Sequence, residues 1–367
     1  MFARAWGIGL VVLAAVAGSI GPAFAQDWKS EWERTVAAAN KEGELVATAA
    51  SNRAWSQNIA RRWAKDHPQI KLSMVSVDAS TFIVRIKQER EAGKFLWDFS
   101  VAGTSAPLVM YKQNLLDPIP PEFLLPEVTD ETVWGGWDTA FFDTPKKYVF
   151  GIGAYLKTPF YNAKLVPPDR VKADKLEVMF DPAFRGKIYW HAPWVRGSGR
   201  SFVWMLYREW GEEKLARFIK DQKVVFLSAQ NEMVQTMARG TMAIGIGPAF
   251  SGMLAPFRTA GVAMDVRPFG NTPDVAEMAP GGFNLNIYNK RPHPNATRVF
   301  VNWLLSKDVI AGLSEAVGLT LRRQDVTSPE EEALRPIRGV KYSQAQSEDN
   351  EQGEIKAVAF VQKLLGN

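Results

Sequence analysis

Residues 44 to 113 alternate between two kinds of apolar spacing, and that alternation restricts the chain to a layered α/β fold. Glu44 to Thr48 reads as a strand. Arg53 to Lys65 follows as a helix, because Trp55, Ile59 and Trp63 recur every fourth residue and fall on one helical face. Ile70, Leu72 and Met74 alternate with polar residues as a half-buried strand does. A second helix is expected from Thr81 to Glu91, striped by Phe82, Ile83 and Ile86 and stopped near Gly93. Trp97 to Val101 and Ser105 to Gln113 repeat the strand–helix pair. Strands separated by helices of this length need crossover connections, which produce a parallel sheet.

Pro118, Pro120, Pro121 and Pro126 then interrupt the pattern with a rigid, irregular segment. Tyr148 to Leu156 reads as one long strand able to pass from one lobe to another. A second α/β set follows, with strands at Lys187–Trp190, Lys223–Leu227, Met242–Ile246 and Val262–Val266. Its helices are expected at Ser201–Trp210, Glu212–Lys220 and Glu232–Arg239, with Asn231 as an N-cap and Gly240 at the end. Phe283, Leu285 and Ile287 alternate with Asn284, Asn286 and Tyr288, the pattern of a one-sided strand. Val299, Phe300, Trp303 and Leu304 share a face of a helix over Pro294–Lys307. Lys341 to Glu354 is polar and reads as a loop before a last helix, Ile355–Leu365.

The N-terminus bears on the compartment. Arg4 precedes an apolar run from Ile8 to Ile20, and Ala23-Phe24-Ala25 offers small residues for a signal peptidase, so cleavage is expected after Ala25. The run is shorter than the roughly 20 apolar residues of a spanning helix. The absence of cysteine excludes disulfides, thiolate metal sites, a lipidated cysteine and a cysteine nucleophile. A chain of 367 residues exceeds the usual single core and suggests two lobes. Its net charge of +5, without long basic runs, gives no indication of nucleic acid as a partner.

Arg291-Pro-His-Pro-Asn295, running into Phe300-Val-Asn-Trp-Leu-Leu-Ser306, resembles a characteristic helix of the iron-type branch of extracellular solute-binding proteins, family 1. Gly318 to Asp325 with Arg322 and Arg323, the turn Asp181-Pro-Ala-Phe-Arg-Gly-Lys187, Asp66-His67-Pro68 and Asn114-Leu115-Leu116 are similar to further segments of that family, in the same order. The resemblance implies an α/β fold of the type II periplasmic-binding-protein (Venus-flytrap) class, with two lobes of mostly parallel sheet joined by two hinge strands. On that plan residues 1–25 are the signal, 26–155 with 270–325 form lobe 1, and 156–269 with 326–367 form lobe 2. It also implies a periplasmic monomer that holds a small solute between its lobes and delivers it to an ABC permease in the inner membrane, with no cofactor. A sensor reporting to a membrane receptor needs the same clamp and is the alternative within this class.

Candidate ligand contacts lie in loops that follow strands, where open α/β sheets collect ligands. Ser51 and Asn52 precede the first helix, and Ser51 serves equally well as its cap. Gly103 permits close approach of a ligand, while Thr104 or Ser105 is placed to cap the next helix. Arg196, Ser198, Gly199, Arg200 and Ser201 gather guanidinium and hydroxyl groups at a helix start, an arrangement suited to a carboxylate or phosphate. The same residues also read as an ordinary turn with solvated arginines. Pro248, Ala249 and Phe250 follow a strand of the second set. Ferric-binding members of the family carry adjacent tyrosines there, a histidine where Asn52 aligns and a glutamate near Gly103. This chain offers none of those donors, so the expected ligand is a small organic or anionic molecule and not ferric iron. Trp134, Trp137, Trp190 and Trp194 are candidates for an aromatic wall.

An exported enzyme is the rival class. His67, His191 and His293 are the three histidines; two precede proline in motifs that look structural, and no hydrolase elbow or zinc-binding pair of histidines occurs.

Overall fold

The computed structural model of the chain describes residues 23–49, 53–77, 79–195, 198–248, 250–281, 283–318, 320–330 and 332–366. The expected signal segment, residues 1–22, lies outside the described residues, and the expected cleavage point falls in the first turn of α1 (Ala23–Glu42). That helix was not anticipated. It lies along the helix at Pro294–Leu305 and buries Thr35 and Ala39. The chain continues through β1 (Glu44–Ala49), α2 (Arg53–Asp66), β2 (Lys71–Ser76), α3 (Ala79–Glu91), β3 (Phe99–Ala102), α4 (Ser105–Lys112) and β4 (Leu116–Asp117). After 3₁₀ and short helical turns over the proline-rich segment come β5 (Phe150–Gly151), β6 (Tyr155–Lys157), β7 (Phe160–Asn162) and β8 (Ile188–His191). Next are α5 (Ser198–Asp221), β9 (Val225–Leu227), α6 (Gln230–Ala238), β10 (Ile244–Ile246), β11 (Val266–Pro268), β12 (Glu277–Ala279) and β13 (Asn284–Tyr288). The major helices α7 (Pro294–Leu305), α8 (Lys307–Val317) and α9 (Glu348–Leu365) complete it.

Two sheets result. The first has the order β2-β1-β3-β13-β4, with β5 also on β13. Its β1–β2 and β1–β3 pairs are parallel, as crossover helices require, whereas β13 runs antiparallel to its neighbours. The second has the order β11-β7-β10-β8-β9, parallel around β8 and antiparallel at β7. Each sheet has its own principal core. Trp55, Ile59 and Trp63 of α2 pack into the first with Phe300 and Leu304 of α7, while Trp190, Phe202, Leu206 and Phe218 anchor the second.

Among the described residues the chain crosses between these cores three times. The segment expected as one long strand is broken into β5 and β6: Ile152 and Gly153 both donate to the Phe283 carbonyl, at 2.8 and 3.1 Å, and β6 then leaves to pair with β12. The return passage lies after Ala279, not at residue 270, because Val275, Ala276 and Met278 belong to the second core and Phe283 and Leu285 to the first. The third passage runs from Val326, packed on the first core, to Val340 and Tyr342 on the second.

Other local expectations are also corrected. β13 is not one-sided. It is central, so Asn284 and Asn286 are buried: Asn284 donates to the Ala102 carbonyl at 3.1 Å and Asn286 to that of Tyr148 at 2.8 Å, while Asn284 Oδ1 finds no donor among the described residues. The strand expected at 262–266 begins only at Val266. Helix α6 starts before Asn231, with Ala229 in the cap position. Helix α9 extends seven residues earlier than expected, to Glu348, since Glu348, Asp349 and Glu351 favour a helix N-terminus.

Candidate functional site

A cavity of about 300 Å³ joins the start of α4 to the start of α5. Gly103, Thr104 and Ser105 line it from the first sheet's side. Arg200 and Ser201 line it from the second, and Gln346, Ser347, Glu351 and Glu354 close it from the start of α9. That volume suits a small metabolite.

On the first side, Thr104 occupies the cap position of α4 but makes no capping bond with its side chain. Its hydroxyl instead accepts from Asn284 at 3.3 Å, which ties the loop to β13. Ser105 is exposed toward solvent. On the second side, Gly199 is required by packing: a Cβ there would stand 1.7 Å from the His191 carbonyl oxygen. Its N–H donates to His191 Nδ1 at 3.3 Å, and its carbonyl accepts from Trp190 Nε1 at 3.2 Å. His191 therefore carries its proton on Nε2, which meets the Ser228 carbonyl at 3.2 Å. Burial holds its pKa below the usual imidazole range, so this histidine is a neutral brace between β8 and α5.

Behind the lining residue Ser201 lies a buried pair of opposite charges. Lys157, 6% exposed at the end of β6, donates to Ser201 Oγ at 2.9 Å. Glu277 is its register partner on β12. Burial lowers the Lys157 pKa and raises that of Glu277, each opposed by attraction to the other. Arg200 Nε lies 3.5 Å from Glu354 Oε2, and burial pushes the Glu354 carboxyl up. The Arg200 guanidinium, expected to await an anion, is thus already faced by a carboxylate. The cavity presents hydroxyls and balanced charge, which suits a polar organic molecule.

Ser51, Asn52, Arg196 and Ala249 lie outside the described residues, and Ser198 opens α5. Pro248 is buried, and Phe250 packs its ring on Phe160 in an apolar core, 5.5 Å between centroids, so the Phe250 side chain does not face a ligand. Trp134 and Trp190 are likewise core residues and form no aromatic wall of this cavity. Trp137 and Trp194 are half-buried, packed toward Phe123 and Phe226. Lys157, Glu277 and Glu354 were missed in the sequence. The first two have a legible signal: each is a lone charge within an apolar stretch, Ala154-Tyr-Leu-Lys157 and Val275-Ala-Glu277-Met-Ala.

The family model described as bacterial extracellular solute-binding protein matches residues 58–333. No curated protein matches the chain in sequence. Among solved structures, iron-bound HitA from Pseudomonas aeruginosa is similar, at TM-score 0.61 and 14% identity over 88% of this chain and 99% of that one. The spermidine/putrescine ABC transporter substrate-binding protein PotD from Streptococcus pneumoniae aligns at TM-score 0.61 and 15% identity, over 88% and 98%. The periplasmic binding protein AfuA from Actinobacillus pleuropneumoniae, with bound fructose-6-phosphate, aligns at TM-score 0.54 and 16% identity, over 87% and 99%.

Proposed function

The chain belongs to the bacterial extracellular solute-binding proteins, and from that premise we propose that it captures a small polar organic solute in the periplasm and passes it to an ABC permease. The supporting observation is that one cavity is lined by α4 from the first sheet and α5 from the second. A solute touching both would bridge two lobes, 26–155 with the segment following Ala279 and 156–279 with α9. Bridging shifts the population toward a closed form, because the ligand has more contacts there. The permease would read that closed form.

The structural neighbours carry iron in one case and fructose-6-phosphate in another, so the fold does not select the solute. The residues favour an organic one. The two carboxylates reaching the cavity are each faced by a cation, Glu354 by Arg200 at 3.5 Å and Glu351 by Lys112 at 3.8 Å. Phe250, where the family resemblance places a tyrosine, has no oxygen to offer and points into the core. Ligand hydroxyl or anionic groups would be met by Ser105, the α4 start and Arg200.

A thermal-shift screen of the exported chain against a metabolite library tests this, with a ferric salt on the same plate. A true ligand at 100 times its Kd adds about 2.7 kcal/mol of stability. With the hit in hand, Arg200→Ala should weaken binding by about 1.5–3 kcal/mol and Ser105→Ala by about 0.5–1.5 kcal/mol. A hit held equally well by both variants would remove the cavity from consideration, and tight binding of ferric iron would overturn the choice of solute class.

A further inference from the structure

A second and larger cavity, about 410 Å³, lies where the three chain passages run together. It shares no lining residue with the first. Trp134 and Thr139 reach it from the first core's side, Ala154, Met278 and Tyr342 from the second's. Its described lining includes Arg322, Arg323, Arg335, Arg338 and Lys341 and contains no carboxylate.

These cations are not equivalent. Arg323 is committed to Asp325 at 2.8 Å and Glu127 at 3.2 Å. Arg335 donates to the Glu330 carbonyl at 2.6 Å. The side chain of Glu330 is engaged by the N–H of Thr320 at 3.0 Å and by its hydroxyl. Arg322 is different: it is 4% exposed, and its recorded partners are neutral. They are the carbonyls of Gly151 and Thr139, each at 2.8 Å, the Gln344 amide oxygen at 3.5 Å and the Phe142 ring at 5.6 Å. Burial alone pushes its pKa down to about 9, as befits a cation whose charge no neighbour balances. Arg338 and Lys341 stand exposed at the rim. The lining also has an apolar part, from Met278, Leu321 and Val340, and Ile337 is 40% exposed.

We propose that this cavity is a second ligand site, distinct from the one between α4 and α5, for a small amphipathic organic anion. The negative head group would meet Arg322, Arg338 and Lys341, and the apolar body would cover Ile337, Val340 and Met278. Neither half of such a ligand suffices alone: the wall is too apolar for a bare anion, and an uncharged body leaves the cations unmatched.

Phenyl phosphate is a suitable probe, with inorganic phosphate and phenol as its two halves. Calorimetry on the full chain should show phenyl phosphate binding at least tenfold more tightly than either control. In a sample with labelled methionine methyl groups, the Met278 resonance, assigned through Met278→Leu, should move as the probe is added. The exposed pair Arg338→Ala/Lys341→Ala should lower the affinity at least tenfold without changing the melting temperature. A Met278 signal unmoved at millimolar probe, equal binding by the double variant, or binding abolished by Arg200→Ala instead would each overturn the proposal. The last outcome would assign the anion to the α4–α5 cavity and leave that reading standing.

Discussion

Asp98 shows how a single buried group determines local architecture. It is fully buried at the start of β3 and accepts three hydrogen bonds, from the N–H of Val46 at 2.8 Å, the N–H of His293 at 2.9 Å and His293 Nδ1 at 3.0 Å. It thus joins β1, β3 and the entry to α7. Asp98→Ala strands these donors, each at about 1–3 kcal/mol, so the variant should lose about 3 kcal/mol or more in urea denaturation. Asp98→Asn, which keeps one acceptor oxygen, should lose less; equal losses would show that the contacts do not matter individually. The sequence foretold that His293 is structural, since its motif precedes a helix, but gave no hint of its partner. Pairings such as Asp98 with His293 depend on distant segments meeting. For the same reason Trp190 read as a ligand wall, although its indole N–H is satisfied inside a core, on the carbonyl of Gly199.

At the level of elements, periodicity carried most of the information. The α2 stripe of Trp55, Ile59 and Trp63 and the α7 stripe around Phe300 are buried as their spacing requires. Where burial covers both faces, the pattern misled: β13 alternates apolar and polar residues, yet its polar side is also interior. The split of α5 was legible as well. Gly211, at φ 68° and ψ 176°, interrupts it between the two helices expected from sequence. A side chain at 211 would meet no heavy atom within 4 Å, so any loss in Gly211→Ala is backbone strain alone. The variant should lose about 1–3 kcal/mol, with an unchanged denaturant slope. A variant as stable as its parent would mean that the helix continues straight through this point. The candidate site was half legible: loops after strands pointed to Gly103–Ser105 and Arg200–Ser201, but the contribution of α9 lay in a stretch that read as loop.

For the molecule as a whole, α9 is the fastening. Ala357, Val358 and Val361 bury it in the second core, while its first turn bonds to the first half. Lys112 reaches Glu348 at 2.7 Å, the Thr144 N–H donates to Glu348 at 2.9 Å, and Lys146 reaches Asp349 at 3.1 Å. Burial disfavours ionised Glu348, yet the bonds from Lys112, Thr144 and Tyr111 outweigh it and hold its carboxyl at about 2. A depressed folded pKa means that the stabilisation is complete above the unfolded value of 4.5 and disappears as pH falls toward 2. Glu348→Gln should therefore lose about 1.5–3 kcal/mol at pH 7, and its deficit against the parent should shrink as pH is lowered through that window. Urea midpoints at pH 7 and pH 3 would measure it, and a deficit independent of pH would refute the assignment.

The position of β13 has a consequence for biogenesis. It is an interior strand of the first sheet and pairs with β3, although the entire second sheet is encoded between them. A polypeptide emerging from the ribosome consequently leaves the β3 edge open, with Phe99 and Val101 incompletely covered, until Tyr288 and the helix beyond it have been synthesised. Completion of the first sheet is thereby delayed until β13 has been synthesised. Prematurely terminated products, by the same logic, display a free strand edge prone to aggregation.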